Sequence, residues 1–161
     1  MTKRILTVAV IMILAGSMSL ARADDENTDA LIDLLRSDVR AERIAIITEV
    51  MDFTDKEASA FWPIYREYEK EQRKINDRRI ALIKQYTGNY YGMDDATAGH
   101  IAKTWIDLDI KEGYLKKKYL RKFEWALSTI QAAKFLQLDG QINLLIRLQI
   151  AAELPMLEEW K

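Results

Sequence analysis

The side chains best placed to do chemistry in this chain are cationic and aromatic. Lys111, Tyr114, Lys116, Lys117, Lys118, Tyr119, Arg121, Lys122, Phe123 and Trp125 crowd into fifteen residues. At about 100° per residue, Tyr114, Lys118, Arg121, Lys122 and Trp125 fall on one helical stripe. Arg66, Lys70, Arg73 and Lys74 make a comparable stripe earlier in the chain. Such surfaces attract anions at long range and hold flat or apolar groups at short range. In a cytoplasmic setting the combination would suit single-stranded nucleic acid. The bland alternative is a solvated face, with Lys and Arg stems lying over apolar neighbours.

Reaction chemistry is poorly supplied. The chain has no cysteine and one histidine, His100, which sits in no catalytic motif and near the start of an expected helix. No serine stands in a nucleophile context, and no glycine-rich phosphate loop is present. Carboxylates are many but interleave with Lys and Arg, as on solvated helix faces. A transition-metal site needs several converging soft or imidazole ligands. His100 with Met51, Met93 and Met156, scattered along the chain, does not provide them. The sequence therefore points to a protein that binds rather than catalyses, with no cofactor or metal.

The N-terminus carries an export address. Lys3 and Arg4 precede an apolar run from Ile5 to Leu14, and Ala21-Arg22-Ala23 gives the small-x-small pattern of a signal-peptidase site. Residues 1–23 are expected to be removed, leaving 24–161 as one domain in the periplasm, with nucleic acid excluded as a partner. The whole chain has 24 basic and 25 acidic residues. Loss of Lys3, Arg4 and Arg22 leaves 21 against 25, a formal charge of −4. Without cysteine, stability must come from helix packing.

The elements that position the stripes are helices. Residues 24–29 are a polar lead expected to be mobile, and the helical pattern begins at Ala30 with Leu31, Leu34 and Leu35. Ser37-Asp38 is placed to cap a second start, giving a short helix and then a helix over about 39–51, with Arg43, Ile46, Ile47 and Val50 on its seam. Thr54 and Glu57 form a capping box, with Phe53 and Ala58 placed to pack across it. Phe61, Tyr65, Tyr68, Gln72, Ile75, Arg79, Leu82 and Tyr86 then alternate at spacings of four and three, the seam of one long helix. Pro63 lies deep enough in it to predict a kink. Gly88 is the expected C′ residue, and Gly88 to Met93 the reversing loop, where Tyr90 and Tyr91 either cover the hairpin end or stand exposed.

Asp94 or Asp95 caps a second helix of about thirty residues, with its seam at Ile101, Trp105, Leu108, Glu112, Leu115, Tyr119, Phe123 and Ala126. Ser128 and Gln131 repeat the cap signature and predict a further start. The pattern there puts Leu138, Ile142, Leu145, Gln149 and Ala152 on one side, in a stripe widened by Leu136, Leu144 and Leu148. Pro155 stops the helix, and 156–161 is a short tail whose Leu157 and Trp160 fold back or hang free. The expected fold is all-α with four helices: a long antiparallel hairpin with flanking helices. Its apolar back, at 44–50 and 135–152, predicts a symmetric homodimer.

Two starts of the form apolar-[Ser/Thr]-x-x-[Gln/Glu], at 53–57 and 127–131, in a small exported helical chain resemble the LTXXQ-motif (Spy/CpxP-like) family. Phe-Thr-Asp-Lys-Glu departs from that motif at its first and last letters, and Leu-Ser-Thr-Ile-Gln only by serine for threonine. Leu-Arg-Ser-Asp at 35–38, Phe-Trp-Pro-Ile-Tyr at 61–65 and Ala-Glu-Leu-Pro at 152–155 are similar to segments of a group of exported proteobacterial proteins. The likeness covers nearly all of 30–156. It implies long antiparallel helices, a cradle-shaped dimer, and ATP-independent chaperone or envelope-stress activity toward unfolded or envelope proteins. A partner of an envelope stress sensor and a protein bound to an anionic membrane surface are the alternative readings.

Overall fold

A computed structural model describes residues 38–157, with side chains from residue 42 onward. The expected signal peptide, the polar lead, the helical pattern at 30–35, the Ser37 cap and Trp160 lie outside the described residues. Four helices follow in order: α1 (Asp38–Met51), α2 (Asp55–Gly88), α3 (Asp95–Ala126) and α4 (Thr129–Glu153). The all-α four-helix expectation is correct. At 1.5 Å per residue the 34-residue α2 is about 50 Å long. α2 and α3 pack as the antiparallel hairpin, α4 packs on α3, and α1 on α4.

The starts of α2, α3 and α4 are each set by a hydroxyl or carboxylate cap. Thr54 makes the full box: the Glu57 N–H donates to Thr54 Oγ1 at 3.3 Å, and the Thr54 N–H donates to Glu57 Oε2 at 2.9 Å. Asp94, not Asp95, caps α3 by accepting from the Thr97 N–H at 2.7 Å. Ser128 accepts from the Gln131 N–H at 3.2 Å, but Gln131 Oε1 is buried without a hydrogen-bond partner, so this second box is only half made. Phe53 packs at a tilt against Phe61 (4.6 Å between ring centroids) and meets Trp62 edge-on (6.4 Å).

The ends differ from expectation. Gly88 is the last residue of α2 rather than its left-handed C′, and Asn89 is the cap. The Asn89 N–H donates to Gln85 O at 3.2 Å and its Nδ2 to the same carbonyl at 2.7 Å. With the last carbonyls so satisfied at φ −109°, no left-handed residue is needed there; that conformation falls on Gly92, at φ 84°. α2 runs unbroken through Pro63. Pro63 and Ser59, whose carbonyl the ring crowds, are both exposed, so the lost hydrogen bond faces solvent. The chain leaves α1 through Asp52 at φ 48°, and Lys134 on α4 donates to Val50 O at 2.6 Å, closing the end of α1.

The main core lies where all four helices meet. Ile47, Met51, Phe61, Tyr65, Tyr68, Leu115, Tyr119, Phe123 and Phe135 are buried together. Phe135 reaches Phe61 and Phe123 with ring centroids 4.9 and 4.6 Å apart. Toward the loop, Leu82, Ile101 and Leu108 form a second cluster, and Ile83 with Ile150 a third. The buried faces of α2 and α3 follow the seams of the sequence reading, with Ile75, Tyr86, Trp105 and Ala126 part-buried and with Ile80 and Ile83 buried besides. Tyr90 is buried and donates to Met156 O at 2.8 Å, and Tyr86 donates to Pro155 O, so two tyrosines hold the chain after α4; Tyr91 is exposed.

The seam of α4 is not the expected one. Ala132, Phe135, Asp139, Asn143 and Ile150 face inward, whereas Leu145, Gln149 and Ala152 are exposed. The reason is a polar interior, in which Asp139 and Asn143 are buried because Arg43, Tyr68 and Lys116 reach them.

Candidate functional site

The members of the two cationic-aromatic stripes are exposed on α2 and α3 but do not share one surface, and the structure divides them by what they touch. Lys118 Nζ binds both oxygens of Glu71 at 2.8 and 2.9 Å, and Lys122 Nζ binds Glu67 at 2.7 Å. Four residues forward on α3 match four residues back on α2, the register of an antiparallel pair. Both lysines also lie over the Tyr119 ring, at 5.2 and 4.7 Å from its centroid. The Tyr119 hydroxyl donates to Glu71 at 2.8 Å. Glu71 is held below the ordinary carboxylate range, first by its hydrogen bond from Lys118 and also by that from Tyr119. The Tyr119 hydroxyl is pushed up by burial and by Glu71. These two lysines therefore clamp the hairpin as well as charging its face.

Tyr114 is 69% exposed and Trp125 85% exposed, with Arg121 also in solvent between them. Arg66, Lys70, Arg73 and Lys74 are exposed on α2, with Arg73 paired to Glu69 at 3.6 Å. A groove of about 440 Å³ runs between the helices. Lys74, Tyr114 and Lys118 of the expected set line it, joined by Lys111 and by Arg78, which sequence reasoning missed. Ile75 and Leu115 supply its apolar surface, and Glu71 is its one lining carboxylate. Arg66, Lys70, Arg121 and Trp125 lie outside this groove, and Arg73 lines a different cleft. Arg78 belongs to the α2 pattern at i+4 from Lys74, a spacing that could have found it.

That second cleft, also about 440 Å³, lies on another side of α2, toward α4. Behind it runs a network of buried charge. Arg43 Nη1 donates to Asp139 Oδ1 at 3.3 Å and Nη2 to Asn143 Oδ1. The Tyr68 hydroxyl donates to Asp139 Oδ2 at 2.8 Å and Asn143 Nδ2 to the same oxygen at 3.1 Å. Lys116 sits 3.9 Å from Asp139 and 2.9 Å from Glu112. Arg79 Nη2 reaches Asp109 at 3.0 Å and Glu112 at 3.3 Å, and Arg147 bonds the same two acids. Asp139 is pushed above the ordinary carboxylate range by burial, opposed by Arg43, Tyr68 and Lys116. Burial, with Asp139 beside it, likewise raises the Tyr68 hydroxyl. Gln72, Arg79 and Glu112 stood on the expected seams; Asp139 and Asn143 did not.

His100 is exposed near the start of α3. Among the described residues, no three or more His, Cys, Asp or Glu side chains are arranged to hold a metal ion. No helix among them is long and apolar enough to cross a membrane. No protein-family model, no curated protein and no solved structure matches this chain.

Proposed function

We propose that this chain is a periplasmic, ATP-independent chaperone or envelope-stress protein of the LTXXQ-motif kind, holding unfolded protein against the outer face of the α2–α3 hairpin. The observation that carries the reading is the groove in which Lys74, Arg78, Lys111 and Lys118 surround Ile75 and Leu115, with Tyr114 exposed beside them. Charge draws an unfolded segment in, and the apolar surface holds it by area removed from water. Neither step needs a nucleotide, a metal or a reacting group. The exposed Leu144, Leu145 and Leu148 of α4 and the part-exposed Ile44 and Ile46 of α1 give a second, apolar surface that suits pairing of two copies.

The test is suppression of aggregation of a chemically denatured model protein, without ATP, at low and high salt. Lys74, Arg78 and Lys111 form no ion pair among the described residues. Their reversal to Glu therefore changes the groove without breaking the Lys118 and Lys122 clamps. Wild type is expected to protect, less quickly as salt screens charge over about 8–10 Å. The triple variant should protect more slowly at low salt with an unchanged Tm. Equal protection by the variant would leave the groove a solvated face. Vesicle co-sedimentation without client protection would instead assign the surface to an anionic membrane.

A further inference from the structure

The hairpin groove concentrates unmatched positive charge. Its charged lining is Glu71, Lys74, Arg78, Lys111 and Lys118, and the one carboxylate is already taken by Lys118. Lys74, Arg78 and Lys111 are exposed and form no ion pair among the described residues. The register that sets Lys118 beside Glu71 and Lys122 beside Glu67 puts Lys111 level with Arg78. Both also line a smaller cleft that continues the groove toward the loop, where Asp107 is the one lining carboxylate. Like charges held together repel, and an anion laid among them relieves the repulsion.

The sequence holds one segment of matching charge. Asp24, Asp25, Glu26 and Asp29 are four acids in six residues, with no cation among them. Its place in the chain brings it within reach. Lys134 donates to Val50 O and Arg43 to Asp139 and Asn143, so α1 runs antiparallel to α4 and its start, Asp38, comes level with Ile146. The Tyr68–Asp139 bond carries that level across to Ile75 of α2, in the wall of the groove. The chain therefore enters α1 at the height of the three cations, with α2 between. A helix with its side chains is ~10–12 Å across. Residues 24–37 span ~46 Å fully extended, and still ~32 Å with 30–37 wholly helical.

We propose that residues 24–29 lie across the hairpin groove as an intramolecular occupant, their carboxylates on Lys74, Arg78 and Lys111, and that a client binds by displacing them. This rests on the reading of the groove as the client surface, and the experiment separates the two.

Asn27→Cys gives the cysteine-free chain a single site for a nitroxide label without removing an acid. In the ¹⁵N-labelled mature chain the label should broaden the amides of Arg78, Lys111 and Tyr114 at low salt and spare Leu148 on the outer face of α4. The effect should vanish at 1 M salt, where the screening length is about 3 Å. The second measurement is binding of fluorescein-labelled deca-glutamate. A variant with a neutral lead (Asp24→Asn, Asp25→Asn, Glu26→Gln, Asp29→Asn) should bind it about three- to tenfold more tightly than wild type at low salt, because a tethered competitor acts at millimolar effective concentration. Groove amides that stay sharp, or equal binding of deca-glutamate by both chains, overturns the proposal and leaves the groove reading standing. Broadening that fades on dilution assigns the contact to the lead of a second copy and overturns it too. Deca-glutamate that binds neither chain removes the groove reading, and the proposal with it.

Discussion

Replacing Arg43 by Met removes the one side chain that, among the described residues of α1, ties that helix into the buried charge network, while keeping most of its aliphatic length. The guanidinium donates to Asp139 and Asn143 across 96 and 100 residues of chain. Asp139 is 0% exposed, and without Arg43 it keeps Tyr68, Asn143 and a lysine at 3.9 Å. Removing one partner of a buried ion pair typically costs about 3–5 kcal/mol, because the other charge is left uncompensated. For a chain of this size that is a fall in Tm of about 10–20 °C. Replacing the whole group by apolar residues (Arg43→Met, Asp139→Leu, Tyr68→Phe, Asn143→Leu) leaves no orphaned charge, hydroxyl or amide at its centre and should recover most of that loss.

The penalty also depends on pH, with a definite sign. Burial already holds Asp139 above its ordinary value of 3.8, and Arg43 is the largest influence opposing it. Without Arg43 the carboxyl rises further, so the folded state binds its proton more tightly than the unfolded state. Stability from such a group is fully present below 3.8 and is lost as pH rises through the folded value. The Arg43→Met penalty should therefore be smaller at about pH 4 than at about pH 7. Thermal melts followed by circular dichroism at both pH values measure this. A Tm shift of less than about 3 °C at neutral pH, or a larger penalty in acid, would refute the reasoning.

Other consequences of the structure are equally direct. Thr54→Ala should cost more than Ser128→Ala, within the usual range of about 0.5–2 kcal/mol per cap, because only Thr54 makes both halves of its box; equal melts would deny that difference. Asp52→Gly should raise Tm by a few degrees, since a non-glycine residue at φ 48° carries a strain of roughly 1–2 kcal/mol; a fall would show that the Asp52 side chain contributes more than its strain costs. Sedimentation at tens of micromolar should find a dimer that Leu144→Glu with Leu148→Glu dissociates. Wild-type monomer would leave the outer face of α4 without a second copy to cover it.

Much of the fold was legible because it is written in local patterns. Thr54, Asp94 and Ser128 announce helix starts by side-chain chemistry that acts within four residues. The seams of α2 and α3 are readable because aromatic and leucine positions mark them, and the polar Gln72, Arg79 and Glu112 simply keep the spacing. α4 was misread for the converse reason. Its inward face carries Asp139 and Asn143, whose burial makes sense only with Arg43, Tyr68 and Lys116, distant in sequence. The dual role of Lys118 and Lys122 was hidden in the same way, since pairing with Glu71 and Glu67 depends on the hairpin register. Gly88 looked like a helix terminator by residue type alone, but Asn89 does that work with its own backbone and side-chain amides.

The most direct test of client capture is photo-crosslinking from single positions during aggregation of a denatured model protein. A photoreactive side chain is placed at Tyr114 or Lys111 in the hairpin groove, and at Leu148 on the outer face of α4. Both Tyr114 and Leu148 are well exposed, at 69% and 64%, so accessibility alone does not favour either. Capture by the hairpin predicts client adducts from 111 and 114 that weaken with salt, with few from 148. Adducts from 148 alone, or none from any position while the client still aggregates, would contradict it.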